Sequence, residues 1–184
     1  MIRWIALFFS SAGFSGFLPG IINPRFKGKG GGLIGSIVAL PFLYMLWEWE
    51  YCQTHILLFL TSFLILFGVW VVKLGEQLML EKWGPRRRHT GEMVKHDYNE
   101  TNWDEVVGMF CAALLIWPFR ESLKDPLLPL MLIFVIFRLL DTFKPCPKVY
   151  AEKNPSFSVI IDDVAAGFGA GILVNFIFFK LDLL

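Results

Sequence analysis

Long apolar runs alternate with short polar segments along this chain. Six runs stand out: Trp4–Ile22, Leu33–Trp47, Ile56–Val72, Val106–Phe119, Leu127–Leu140 and Val159–Phe179. A helix that spans a bilayer takes about 20 mainly apolar residues, with a range of roughly 17–25. Ile56–Val72 meets that requirement by itself. Trp4–Ile22 has the length but is interrupted by Gly13, Gly16, Pro19 and Gly20, so a kinked span and a re-entrant helix are both open. Leu33–Trp47 is short and contains Pro41. The last three runs reach spanning length only by taking in charged residues. Asp104 and Glu105 precede the fourth run, Arg138 and Asp141 close the fifth, and Asp162 and Asp163 open the sixth. The pattern predicts an all-α polytopic integral membrane bundle of about five to six apolar helices. It predicts one domain over residues 1–184.

Composition agrees with that class. The 184 residues are 55% hydrophobic and 18% charged, with a mean hydropathy of +0.57, against ~45–50% and ~25% in a soluble domain. A net charge of +1 leaves no basic footprint for nucleic acid. Cys52, Cys111 and Cys146 stand apart, without metal-ligand spacing, so neither zinc nor a disulfide framework is indicated, and Cys111 reads as a small core residue. The N-terminal M-I-R-W-I-A-L-F-F-S-S-A-G has the outline of a signal peptide, but a first membrane helix looks the same and five further apolar runs follow.

Charge is distributed unevenly. If all six runs cross, twelve Lys and Arg fall in the loops after the first, third and fifth, and four (Arg3, Arg120, Lys124, Lys180) fall on the other side. The richer side belongs in the cytoplasm. A re-entrant first run moves the N-terminus to that side and leaves the other loops in place. In the longest polar segment, the stretch up to Trp83 extends the third helix, and Arg86–Arg88 read as a headgroup-facing basic cluster. Lys27–Gly32 reads as a flexible turn.

Three helix ends therefore bring charge to one cytoplasmic depth. Taken singly, each has a plain explanation. Arg138 and Asp141 form an i,i+3 pair beside a snorkelling Lys144, and Asp104/Glu105 and Asp162/Asp163 complement helix N-termini. Together they bring up to five carboxylates and two basic side chains to one place. Oxygen ligands with phosphate suit Mg²⁺, and Arg suits bidentate phosphate contact, so the set reads as a Mg²⁺-dependent phosphate site. His96, beside Asp97, stands close enough in sequence to assist as acid or base. Gly108 and the small residues Ala165–Gly171 allow the close helix approach that such a site needs, and Asn175 suits an interhelical hydrogen bond. Other phosphatase chemistries lack their motifs: there is no C-x5-R, no Arg-Pro, no D-x-D, and Arg88–Glu92 interrupts R-H-G with Thr90.

Four stretches resemble the phosphatidylglycerophosphatase A family of bacterial membrane enzymes. They are Trp103–Gly108, Phe134–Asp141, Lys144–Pro147 and Ile161–Gly167, with His96-Asp97 ahead of them. Gly31-Gly32-Leu33 replaces the family's P-G-T, Ser156–Val159 replaces a glycine-rich approach, and Arg86–Glu92 resembles an insertion. The resemblance implies hydrolysis of the terminal phosphate of phosphatidylglycerol phosphate to phosphatidylglycerol, with Mg²⁺, among the lipids of the bacterial cytoplasmic membrane. The residues expected to act are Asp104, Glu105, Asp162 and Asp163 toward the metal and Arg138 and Lys144 toward phosphate. Asp141 is a further ligand or the general acid, a role for which His96 is the other candidate. A phosphatase for another lipid phosphate stays open as an alternative. A cation-coupled transporter would need acids near mid-membrane and a repeat between halves; the acids lie toward one interface and no repeat is visible.

Overall fold

The computed structural model of the chain describes residues 2–23, 30–87, 93–95, 98, 100–123, 125–143 and 155–182. Five long helices form the bundle: α3 (Gly31–Glu48), α4 (Thr54–Trp83), α5 (Trp103–Ile116), α7 (Leu127–Phe143) and α8 (Pro155–Lys180). Two short helices precede them, α1 (Ile2–Ser10) and α2 (Leu18–Ile22). A 3-10 turn, Trp117–Phe119, carries α5 into α6 (Arg120–Leu123). Strand pairing among the described residues is a two-residue antiparallel ladder, β1 (Arg86–Arg87) with β2 (Met93–Val94).

α4 sets the scale. Its 30 residues extend ~45 Å at about 1.5 Å per residue. Leu58, Phe59, Phe63, Leu66 and Trp70 face outward from it. The exposed positions that follow are Lys73, Gln77, Glu81 and Lys82. The apolar stripe thus ends between Trp70 and Lys73, which marks one edge of the hydrocarbon. The helix continues to Trp83, as its sequence predicts, and stops at Gly84, whose φ of +72° suits glycine. α3 starts earlier than its apolar run indicates. Gly30 caps it with φ +74°, Gly31 and Gly32 form its first turn, and Pro41 is accommodated inside, giving 18 residues. The Lys27–Gly32 segment is therefore partly helix. α5, α7 and α8 each include the charges that their length demands.

Four stretches are long and apolar enough to cross a membrane: α3, α4, Trp103–Leu123 and Phe157–Lys180. α7, at 17 residues, lies at the lower end of the spanning range of roughly 17–25. The first apolar run behaves differently. It bends by 74° between its two halves at an elbow where Ala12, Gly13 and Phe14 all have positive φ. Phe14 packs on Phe8 with ring centroids 5.4 Å apart. Arg3 meets Glu81 near the end of α4 at 3.4 Å. The Asn102 N–H donates to Ser10 O at 2.9 Å, and its side chain reaches Gly31. Phe17, in the second half, packs on Trp83 with ring centroids 6.0 Å apart, so both halves of the run reach the last turns of α4. Of the two readings open from sequence, the bend and these contacts favour the re-entrant one, with Arg3 at the Glu81 end of α4.

α5 is the central helix, packed against α3, α4, α7 and α8. Its side chains from Val106 to Ala113 are all buried. At the end away from the elbow, Trp117 Nε1 donates to Cys52 O at 2.8 Å. Arg120 Nη1 donates to Trp49 O and Cys52 O at 3.1 and 2.9 Å. These bonds tie the end of α5 and the start of α6 to the α3–α4 turn, where Trp49 O also accepts from the Cys52 N–H. The tightest helix contact is α5 with α8. A Cβ on Gly167 would stand 2.2 Å from Gly108 O, and one on Gly171 2.7 Å from Ala112 O. Asn175 Nδ2 donates to Leu115 O at 2.9 Å across the same seam. Cys52 and Cys111 are free and buried.

Gly167→Ala forces its new methyl group against a backbone carbonyl. Overpacking of this kind costs about 1–3 kcal/mol, so the thermal midpoint in detergent falls by roughly 3–10 °C. An unchanged midpoint would show that α5 and α8 part without cost.

Candidate metal and phosphate site

The site is assembled at the elbow end of the bundle. Trp103 opens α5 and anchors it: the indole Nε1 donates to Leu64 O of α4 at 3.1 Å, and the ring meets Phe9 and Phe67 edge-on. Asn102 before it is fully buried and makes no side-chain cap. Its Nδ2 donates instead to Ser15 Oγ and Gly31 O, each at 3.1 Å. One side chain thus joins the start of α5 to the elbow and to the first turn of α3.

Asp104 and Glu105 follow immediately, in the first turn of α5. Asp163 reaches them from α8, where Gly108 lets the helices close. Asp104 and Asp163 are buried and Glu105 is half-buried. Carboxylate oxygens of the three lie within 4.8 Å of one another. Oε2 of Glu105 is buried and receives no hydrogen bond. Asp162 is half-buried and stands outside this group, since neighbours on a helix point ~100° apart. Asp141 lies within electrostatic reach of Glu105, and its Oδ2 accepts from Arg138 Nη1 at 2.9 Å. The i,i+3 ion pair expected from sequence is therefore present, and it faces the acids. Lys144, His96 and Asp97 lie outside the described residues.

The donor set fits a hard divalent cation. All three groups offer oxygen, which is what Mg²⁺ takes. An octahedral ion with ligands at about 2.1 Å holds them at most ~4.2 Å apart, so small side-chain rotations suffice. Without a counter-charge, three neighbouring carboxylates repel one another. Among the described residues Arg138 is the cation in contact with this acidic end, and it is already paired with Asp141.

α3 forms the remaining wall. A Cβ on Gly32 would stand 2.0 Å from Glu105 Oε1 and 3.3 Å from Arg138 Nη1. One on Gly35 would stand 2.6 Å from Asn102 O. Ser36, fully buried, accepts from Arg138 Nη1 at 3.4 Å. Sequence reasoning assigned no site role to Gly32, Ser36 or Asn102. Asn102 carried one usable signal, a polar residue directly ahead of an apolar helix. On α3 the signal was the Gly31-Gly32-Leu33 departure, which marks the stretch but names no contact, because its partners are far away in the chain.

The family model for phosphatidylglycerophosphatase A matches residues 8–178. The chain belongs to that family. Phosphatidylglycerophosphatase A of Escherichia coli (strain K12) is 29% identical over 151 residues, covering 77% of this chain and 71% of the relative. Phosphatidylglycerophosphatase A of Haemophilus influenzae is 28% identical over 165 residues, covering 86% and 82%. No solved structure matches the chain significantly. The stretch shared with the phosphatidylglycerophosphatase A model contains every acid of the cluster and Arg138. The Gly31-Gly32-Leu33 departure falls on the first turn of α3, against Glu105.

A ligand that binds only the folded state at 100 times its Kd stabilises by about 2.7 kcal/mol. Saturating Mg²⁺ or Mn²⁺ is thus expected to raise the thermal midpoint of the purified protein by roughly 5–10 °C. Asp163→Asn should abolish that rise. A midpoint in the wild type that ignores both cations would exclude the three acids as a metal centre.

Proposed function

We propose that the chain is a Mg²⁺-dependent lipid phosphatase that removes the terminal phosphate of phosphatidylglycerol phosphate, leaving phosphatidylglycerol. One observation carries the reading. The Asp104–Glu105–Asp163 group and Arg138 converge just past Thr101 and Trp103, which stand against Gly75 and Gly68 of α4, at the depth where its apolar stripe gives way to Lys73 and Gln77. A phospholipid presents a phosphomonoester at that depth and keeps its chains in the bilayer. Family membership and the names of the two relatives support the same substrate.

In this reading Asp104, Glu105 and Asp163 hold Mg²⁺, and Asp162 braces them from the same turn of α8. Bound Mg²⁺ offsets phosphate charge and supplies water at a lowered pKa. Arg138 and Lys144 take the phosphate oxygens and offset charge that develops during transfer. Asp141, lying against Arg138, and His96 are the candidate proton donors to the departing glycerol oxygen. Residues 1–184 act as one membrane-embedded domain. The basic loops, Arg3 among them, support a site on the cytoplasmic face, and the bacterial relatives support the cytoplasmic membrane as its place.

Phosphate release by purified protein tests this with phosphatidylglycerol phosphate, phosphatidic acid and soluble glycerol phosphate, each with Mg²⁺ or with EDTA. Release is expected from the first lipid and to stop in EDTA. Arg138→Ala should lower kcat/KM by about 100-fold or more, as loss of a charge-stabilising donor does. Undiminished turnover in EDTA would remove the metal from the chemistry, and preference for phosphatidic acid would change the substrate.

A further inference from the structure

The guanidinium of Arg138 is held from two sides at one corner. Nη1 donates to Asp141 Oδ2 on its own helix at 2.9 Å and to Ser36 Oγ on α3 at 3.4 Å. Among the described residues, Nη2 and Nε have no partner, and the side chain is 23% exposed. Ser36 is itself fixed. It is fully buried, and its hydroxyl donates to Gly32 O at 3.1 Å. A hydroxyl has one proton and two lone pairs, so with the proton on Gly32 O, an oxygen lone pair faces Arg138. Asp141 alone would leave the partly exposed guanidinium free to pivot about a single ion pair. A second acceptor on a different helix fixes its plane.

From this arrangement we propose that Ser36 is a positioning residue for phosphate binding. Together with Asp141 it engages the Nη1 corner of Arg138, so that the Nη2 and Nε edge is presented to the phosphate group of the substrate. Two parallel N–H donors on one edge match two phosphate oxygens, the bidentate geometry that Arg provides and Lys does not. Gly32 belongs to the same device. Its carbonyl orients the Ser36 hydroxyl, and its missing side chain leaves room for Glu105 and Arg138 to flank the helix. The proposal rests on the lipid-phosphatase reading above.

Kinetics of phosphate release in detergent–lipid micelles with Mg²⁺ test it, with Ser36→Ala made in the wild type and in an Arg138→Lys background. A hydrogen bond to a charged group contributes enough for about a tenfold effect. Ser36→Ala is expected to raise KM about tenfold and change kcat less than about threefold, the pattern of lost uniform binding. In the Arg138→Lys background the same change should alter KM less than about twofold, because the Nη1 that Ser36 holds is gone. Equal losses in the two backgrounds, or a loss confined to kcat, would overturn the role. If Ser36→Ala does not yield a monodisperse protein, Ser36→Cys keeps the size, weakens the acceptor, and carries the same expectation in both backgrounds. Absence of phosphate release from every lipid by the wild type would overturn the phosphatase reading and this one with it. Release by the wild type with additive losses would overturn the positioning role alone.

Discussion

α5 and α8 touch backbone to backbone, and the site exists because they do. Gly108 and Gly167 leave no room for a side chain between them. In lipid there is little hydrophobic gain from joining two helices, so close contact and interhelical hydrogen bonds hold them. The Asn175–Leu115 bond lies further along the same seam. Asp104, Glu105 and Asp163 are carried on the first turns beyond it, and their mutual repulsion opposes the contact that brings them together. Three carboxylates are therefore gathered at one end of the bundle. A divalent cation would relieve their repulsion, which couples metal binding to the packing of the two central helices.

The two ends of the bundle solve different problems. At the end away from the site, Trp117 and Arg120 use their donors on carbonyls of the α3–α4 turn. Every polar group named there is used to close the structure. At the site end, Asn102 does the closing, with bonds to the elbow and to α3. Among the described residues, that leaves Oε2 of Glu105 and one edge of Arg138 unused in holding the fold.

Much of this was legible in the sequence because of a length argument. The fourth, fifth and sixth apolar runs needed Asp104 and Glu105, Arg138 and Asp141, and Asp162 and Asp163 to reach across a bilayer, and α5, α7 and α8 include them. The Arg138–Asp141 pair and the Asn175 bond followed from local spacing and chemistry. Which aspartate of α8 faces inward did not. A membrane helix is apolar on its lipid side as well as its protein side, so hydrophobic periodicity cannot set its phase. Only Gly108 opposite Gly167 fixes Asp163 toward α5. The start of α3 was hidden for another reason: Gly31 and Gly32 look like a turn, and what makes them helix is their fit against Glu105 and Asn102, about 70 residues away. Glycines and Pro19 marked the elbow as a break, but its direction depends on Arg3 finding Glu81.

That elbow has a consequence for the chain's parity. The run containing it bends back toward the last turns of α4, so among the described residues α3, α4, α5, α7 and α8 are the helices that run the length of the bundle. Five traverses are an odd number. Ile2 and Lys180 therefore lie toward opposite ends of the bundle, with the N-terminal residues at the Glu81 end of α4. A domain fused ahead of α1 would therefore stand at the end that holds the acids and Arg138, and one fused after α8 at the other end, the length of the bundle away.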